Sequence, residues 1–146
     1  MLNASDAAAR TADVLCKKQN KEQAKNDAAA EAHAARIKSA IRKSKKIFES
    51  ANSAVLMAVS KGKTRAQIVT AVKYNKILDD LKPHNIIGTG FTPKSKRIQT
   101  VFPDDHPWKY VQSELQSYGY DVVFEYSITS LDELGDPIYI LSAYWD

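Results

Sequence analysis

The side chains of this chain that could do chemistry are few and scattered. Asp104-Asp105-His106 sets two carboxylates beside an imidazole, the residue types that ligate a divalent metal. Neighbours in sequence at a helix start point apart, however, and the trio reads better as helix-capping residues. The stretch Gly88-Thr-Gly90-Phe-Thr-Pro-Lys94-Ser-Lys96-Arg97 brings glycines and lysines together as phosphate loops do. It matches neither Gly-x-x-x-x-Gly-Lys-Ser/Thr nor Gly-x-Gly-x-x-Gly after a strand, so it reads as a flexible loop. His33 and His84 have no partner at metal-ligand spacing, and Cys16, the single cysteine, has no His or Asp constellation to make it a nucleophile. A lone cysteine also excludes an internal disulfide and fits synthesis in a reducing cytoplasm. The sequence therefore predicts no enzyme, no metal site and no cofactor.

Positive charge is the one chemical feature that repeats. Arg36, Lys38, Arg42, Lys43, Lys45 and Lys46 fall within one half of a helical wheel, opposite Ile37, Ile41 and Phe48. Lys61, Lys63 and Arg65 lie beyond them. Such a stripe is suited to neutralising phosphates without reading sequence. It is also what the outer face of any amphipathic helix looks like, and no helix-turn-helix, zinc-finger or RNA-recognition signature accompanies it. The net charge of +4 conceals an uneven distribution. Residues 1–35 carry five basic and five acidic side chains, residues 36–65 nine and one, and residues 66–146 seven and eleven. A basic segment and an acidic head can pair within one molecule or between copies.

The element that must carry the stripe is a helix. No glycine precedes Gly62, no proline precedes Pro83, and sixteen alanines fall in the first sixty positions. Residues 3–61 are thus expected as one helix, a rod of roughly 85 Å at 1.5 Å per residue. Asn3 is its expected N-cap, with Asp6 at its positive end, and Gly62 its C-terminal cap. Residues 1–29 form a polar arm, since Lys17 to Asp27 contains one apolar residue, Ala24. From Ala30 the spacing alternates three and four through Ala34, Ile37, Ile41, Ser44, Phe48, Ala51, Val55 and Ala58, the pattern of a coiled-coil association seam over 30–58. The last turn adds Leu56 and Met57 off the seam, apolar all round, where a head domain would dock.

Residues 62–146 are expected as a small α+β head, in a chain that is mainly α overall. Thr64 with Gln67 resembles a capping box and opens a second helix to about Leu81, antiparallel to the first and ended by Pro83. Residues 84–107 read as a long loop with one strand candidate, Arg97 to Phe102. Asp105 or His106 before Pro107 starts a helix with the stripe Trp108, Val111, Leu115 and Tyr118, closed by Gly119. Tyr120, Val122, Phe124 and Tyr126 share one face of a strand, and Ile138 to Trp145 forms its antiparallel hairpin partner. The tyrosines and tryptophans crowded into this head suit a small core and an interface better than a base-stacking platform.

The string Leu115-Gln-Ser-Tyr-Gly119-Tyr-Asp-Val, running into a strand and a last strand ending Ala143-Tyr-Trp-Asp, resembles the tail of small accessory proteins of tailed bacteriophages, which have an N-terminal helix and a C-terminal helix plus β-hairpin. The resemblance covers residues 105–146 and implies a setting, in a virion, without implying an activity.

These features together predict a structural or adaptor protein that assembles through its long helix, as a homo-oligomer or with other subunits of an assembly. A sequence-independent nucleic-acid binder using the basic face of residues 36–65 is the alternative. Inhibition of a host factor is a third class, one that leaves no mark in sequence. The longest apolar run, Ala54 to Val59, is too short to span a membrane or to form a signal-peptide core, so no membrane partner is expected.

Overall fold

A computed structural model describes residues 1–71, 76–81, 84–86, 92–131 and 137–146. The fold is α+β with a long N-terminal helix, as the composition and periodicity predict. The chain divides into two compact units, Met1–Lys38 and Ser39–Asp146. The division falls inside the helix rather than near residue 61, because the residues from Ser39 onward pack with the head.

Helix α1 spans Ala4–Ser60, 57 residues. It begins where expected: the Asn3 side-chain oxygen accepts the Asp6 N–H at 2.8 Å. It ends in a Schellman motif at Gly62, whose φ of 70° suits a residue without Cβ. There Lys63 N–H donates to the Ala58 carbonyl at 2.9 Å and Gly62 N–H to that of Val59 at 2.9 Å. In the first unit all residues are exposed except the half-buried Ile37. In the second unit α1 buries Ala40, Ser44, Ala51, Val55 and Ala58. This stripe sits to one side of the expected seam, because the head packs on the column of small residues, leaving Phe48 half-buried and Ile41 exposed. The last turn does not pack all round, since Leu56, Met57 and Val59 are 62, 60 and 53% exposed.

The chain beyond Gly62 corrects the expectation of a helix over 64–81. Arg65–Ala71 is a strand, β1, and among the described residues of this stretch the five of Lys76–Asp80 are helical, as α2. The described residues form no helical hairpin. The β-branched run Ile68, Val69 and Thr70 resists helical χ1 geometry, while alternation within Arg65–Ile68 buries Ala66 and Ile68 against the core. Thr64 caps no helix; its carbonyl accepts the Trp145 N–H at 3.0 Å and so starts the ladder between β1 and the end of the chain. The strand expected over Arg97–Phe102 is also absent. That segment follows a short 3-10 turn, Lys94–Lys96, as irregular chain that delivers Phe102 into the core.

A three-residue strand, β2, occupies His84–Ile86, at the start of the stretch expected as loop. The remaining elements fall where the sequence places them: helix α3 is Pro107–Ser117, β3 Asp121–Leu131 and β4 Pro137–Tyr144. Gly119, at φ 90°, closes α3 with a second Schellman motif, Tyr120 N–H to Leu115 at 3.3 Å and Gly119 N–H to Gln116 at 3.0 Å. The sheet order is β1-β4-β3-β2, with β2 parallel to β3 and the other pairs antiparallel. In register Phe124 faces Leu141 and Val122 faces Ala143. These residues pack with Ala51, Val55, Trp108, Val111 and Leu115 in one core between the sheet and the two helices.

His106 is the N-cap of α3, its Nδ1 accepting the Trp108 N–H at 3.1 Å, with Pro107 at the first helical position. The ring is buried between Phe102 and Trp108. Burial pushes its pKa below the ordinary value, against a weaker opposing pull from Asp105. The unfolded chain takes up a proton near pH 6.5 and the folded chain only at lower pH, so the unfolded state binds more protons in that window. Stability is therefore complete above about pH 6.5 and falls on acidification, by at most about 1.4 kcal/mol per pH unit for this group. Denaturant unfolding at a series of pH values is expected to show this slope, and His106→Asn, which keeps a capping side chain, to flatten it. An unchanged slope in His106→Asn would assign the acid sensitivity elsewhere.

Candidate interaction surfaces and a buried polar cluster

The seam residues separate into two groups. Ala30 and Ala34 are exposed on the first unit, and Ile37 is half-buried there. In the second unit Ser44, Ala51, Val55 and Ala58 are covered within the chain, while Ile41 and half-buried Phe48 lie at the margin. Phe48 stacks on Tyr118 at 5.9 Å between ring centroids. The reason is that a stripe fit for a partner helix is equally fit for the chain's own sheet. The surface of α1 left open to another chain is therefore the arm, together with the face of the second unit's helix away from its buried stripe.

The arm has little to hold it as an isolated helix. Its polar pairs include Lys17–Asp13 at 3.4 Å and Gln23–Asp27 at 2.9 Å, both at i,i+4 spacing. Each such pair stabilises a helix by about 0.2–0.5 kcal/mol. The larger apolar residues Val14 and Leu15 are 53 and 54% exposed. Cys16 is exposed too, its sulfur 3.9 Å from the Asn20 side-chain nitrogen.

The basic residues Arg36 and Lys38 of the first unit, and Arg42, Lys43, Lys45 and Lys46 of the second, are all exposed. Asp104 pairs with Lys109 and its carbonyl accepts the Tyr110 hydroxyl at 2.6 Å, so it braces the start of α3. Among the described residues no group of three or more His, Cys, Asp or Glu side chains is placed to hold a metal ion, and no helix is long and apolar enough to cross a membrane. Gly88 and Gly90 of the glycine-lysine stretch lie outside the described residues. Its remainder, from Thr92 to Arg97, does something the sequence did not suggest.

Thr92 and Arg97 cover the second face of the sheet, over a cluster built on Glu125. That carboxylate is fully buried. It accepts hydrogen bonds from Arg65 Nη2 at 3.0 Å, from the Tyr144 hydroxyl at 3.1 Å, and from the Thr92 hydroxyl. Thr92 N–H in turn donates to the Tyr144 oxygen at 2.9 Å. Arg97 lies over the Tyr144 ring, 3.9 Å from its centroid, and is held there by Asp146 at 2.5 and 2.8 Å and Asp121 at 3.3 Å. Asp146 raises the pKa of the guanidinium, and Arg97 lowers that of the Asp146 carboxyl. Burial pushes the Tyr144 phenol above its ordinary value, so it serves as a neutral donor.

Every polar group of Glu125 has work within the fold, and the cluster reads as a clasp that fixes the 92–97 segment to the sheet. Alternation along β3 puts Glu125 on the face away from Phe124, and nothing in its local sequence singles it out. The signal that this second face is covered is the apolar company it keeps there: Val123 and Ile140 are 1 and 2% exposed. No protein-family model, curated protein or solved structure matches this chain.

Proposed function

We propose that this chain is a structural or adaptor subunit, without catalysis of its own, that assembles with other chains through the N-terminal arm of α1. The observation that carries the reading is the exposure of every residue of α1 from Ala4 to Arg36. Helices in proteins draw most of their stability from packing an apolar face, and a helix polar all round requires many charge pairs or a neighbour. The arm has few such pairs, and a partner helix over Val14, Leu15 and the exposed alanines would supply the packing. Copies of the chain itself, or other subunits of a phage particle, are the partners this reading names.

A second reading has one favouring observation. Arg42, Lys43, Lys45 and Lys46 of the second unit are exposed and have no ion-pair partner among the described residues, which leaves their charge free for phosphates. One experiment serves both. Light scattering on the purified full chain, with absorbance at two wavelengths to register nucleic acid, is expected to show association that removal of residues 1–36 abolishes while the remainder stays folded. Copurifying nucleic acid lost in high salt would favour the second reading. A monomer whose arm is fully helical at micromolar concentration would overturn the first.

A further inference from the structure

We propose that the free edge of β1 is a docking site for an extended peptide segment with acidic side chains, which would add to the sheet as a fifth strand. This site is independent of the arm and of the assembly proposed for it.

Three observations meet at this edge. The first is backbone geometry. Among the described residues β1 has β4 as its one strand neighbour. Because Trp145 N–H bonds to the Thr64 carbonyl, and Arg65 faces Tyr144 while Ala66 faces Ala143, the hydrogen-bonded pairs of this ladder are 64/145 and 66/143. The N–H and C=O groups of Arg65 and Gln67 therefore point away from β4, toward the open side. They are the ladder positions an added strand uses.

The second is shape. The helical layer is wider than the sheet above it. Ala58 of α1 is covered by the sheet, but Met57 is 60% exposed and Ala54 only half-buried, so the helix extends past β1 with no strand of the described residues over it. The space is a cleft of about 640 Å³ bounded by Ala54 and Met57 below and by Arg65 and Gln67 at the sheet edge. A strand seated there would place every second side chain on Ala54 and Met57, which favours apolar residues at those positions.

The third is charge, which selects the occupant. Among the described residues, Lys61, Lys63 and Arg65 line the cleft and no carboxylate does. Lys61 and Lys63 are exposed, while the Arg65 guanidinium turns inward to Glu125. Acidic side chains alternating with the apolar ones would meet the two lysines at the cleft's end. A second copy of β1, Arg65–Ala71, has no acidic side chain to set against Lys61 and Lys63 and adds a further arginine, so it lacks the charge complementarity that an acidic segment has.

The test is selection of binders to the full chain from a random heptapeptide library, followed by amide NMR with a selected peptide. Alternating β-branched and acidic sequences are expected, with the Arg65 and Gln67 amide signals shifting on binding. Lys61→Glu/Lys63→Glu should weaken binding by roughly tenfold or more, about 1.4 kcal/mol. Gln67→Pro, which removes one outward N–H and leaves the β4 ladder intact, should do the same. Lys43→Glu/Lys46→Glu makes an equal charge change elsewhere and should leave binding in place. The proposal is overturned if no such peptide is selected, if binding survives the Lys61/Lys63 exchange, or if the Lys43/Lys46 exchange abolishes it equally. Concentration-dependent protection of the Arg65 and Gln67 amides in the protein alone would assign the edge to a second copy and overturn it as well.

Discussion

Glu125→Ala is expected to destabilise the second unit by about 3–5 kcal/mol, the cost of stranding one member of a buried ion pair. The carboxylate is fully buried, and its removal takes the acceptor from Arg65, Thr92 and Tyr144 together. Arg65 would keep the Ser142 hydroxyl at 3.4 Å as an acceptor, and its Nε already has no hydrogen-bond partner among the described residues. A cation whose side chain is 17% exposed cannot recover its hydration without the strand end opening. For a unit of this size the loss corresponds to about 15 °C or more in the thermal midpoint. Glu125→Gln keeps the shape and one acceptor oxygen and should cost about half as much. Arg65→Met/Glu125→Leu removes both charges and should cost less than Glu125→Ala. Urea unfolding followed by tryptophan fluorescence gives the three values. If Glu125→Ala stays within about 1 kcal/mol of wild type, the cluster is not what holds the 92–97 segment down.

That cluster also marks where the sequence stops being readable. The long helix, both its ends, helix α3 and the β3–β4 hairpin are local structures, written in glycine placement, capping residues and periodicities of a few residues. Each is legible because each is decided within a few positions of itself. Strand β1 is not. Thr64 and Gln67 satisfy a helix-opening pattern, and the strand forms because β4, about 75 residues later, presents an unpaired edge to Arg65–Ala71. Glu125 goes unnoticed for the same reason: strand alternation fixes which face it occupies, but not that Thr92 and Arg97 return to cover that face. The seam on α1 is legible as an apolar stripe to within one column of the helix. What no periodicity encodes is whether the stripe meets another chain or its own sheet, since the same small side chains at 44, 51 and 58 allow close approach of either. The exposed arm is legible as polar from Lys17 to Asp27 alone, and the open edge of β1 becomes visible only once the strand order is known.

The largest packing effect is expected at Phe124, and it separates a single core from a set of loosely joined parts. Its ring is fully buried, edge-on to Phe102 at 5.4 Å and to Trp108 at 5.8 Å, and stacked on Tyr139 at 5.7 Å. It thus joins the irregular 97–103 segment, the first turn of α3 and the neighbouring strand at one point. Phe124→Ala should cost about 3–5 kcal/mol through lost burial and the cavity left behind. Part of that is geometric, because each well-oriented aromatic pair adds about 0.5–1.5 kcal/mol beyond its area. Phe124→Leu refills most of the volume without the edge-to-face contacts, so the difference between the two variants measures the cavity and the residual loss in Phe124→Leu the ring contacts. Tyr118→Ala is the internal comparison: that ring stacks on Phe48 but is 68% exposed, and its loss should be within about 1 kcal/mol. In a double-mutant cycle Phe124 and Phe102 should show a coupling of about 0.5 kcal/mol or more, as expected for side chains in contact. If the two substitutions add without coupling, Phe102 is anchored by His106 and Trp108 alone, and the 97–103 segment is held to α3 rather than to the sheet.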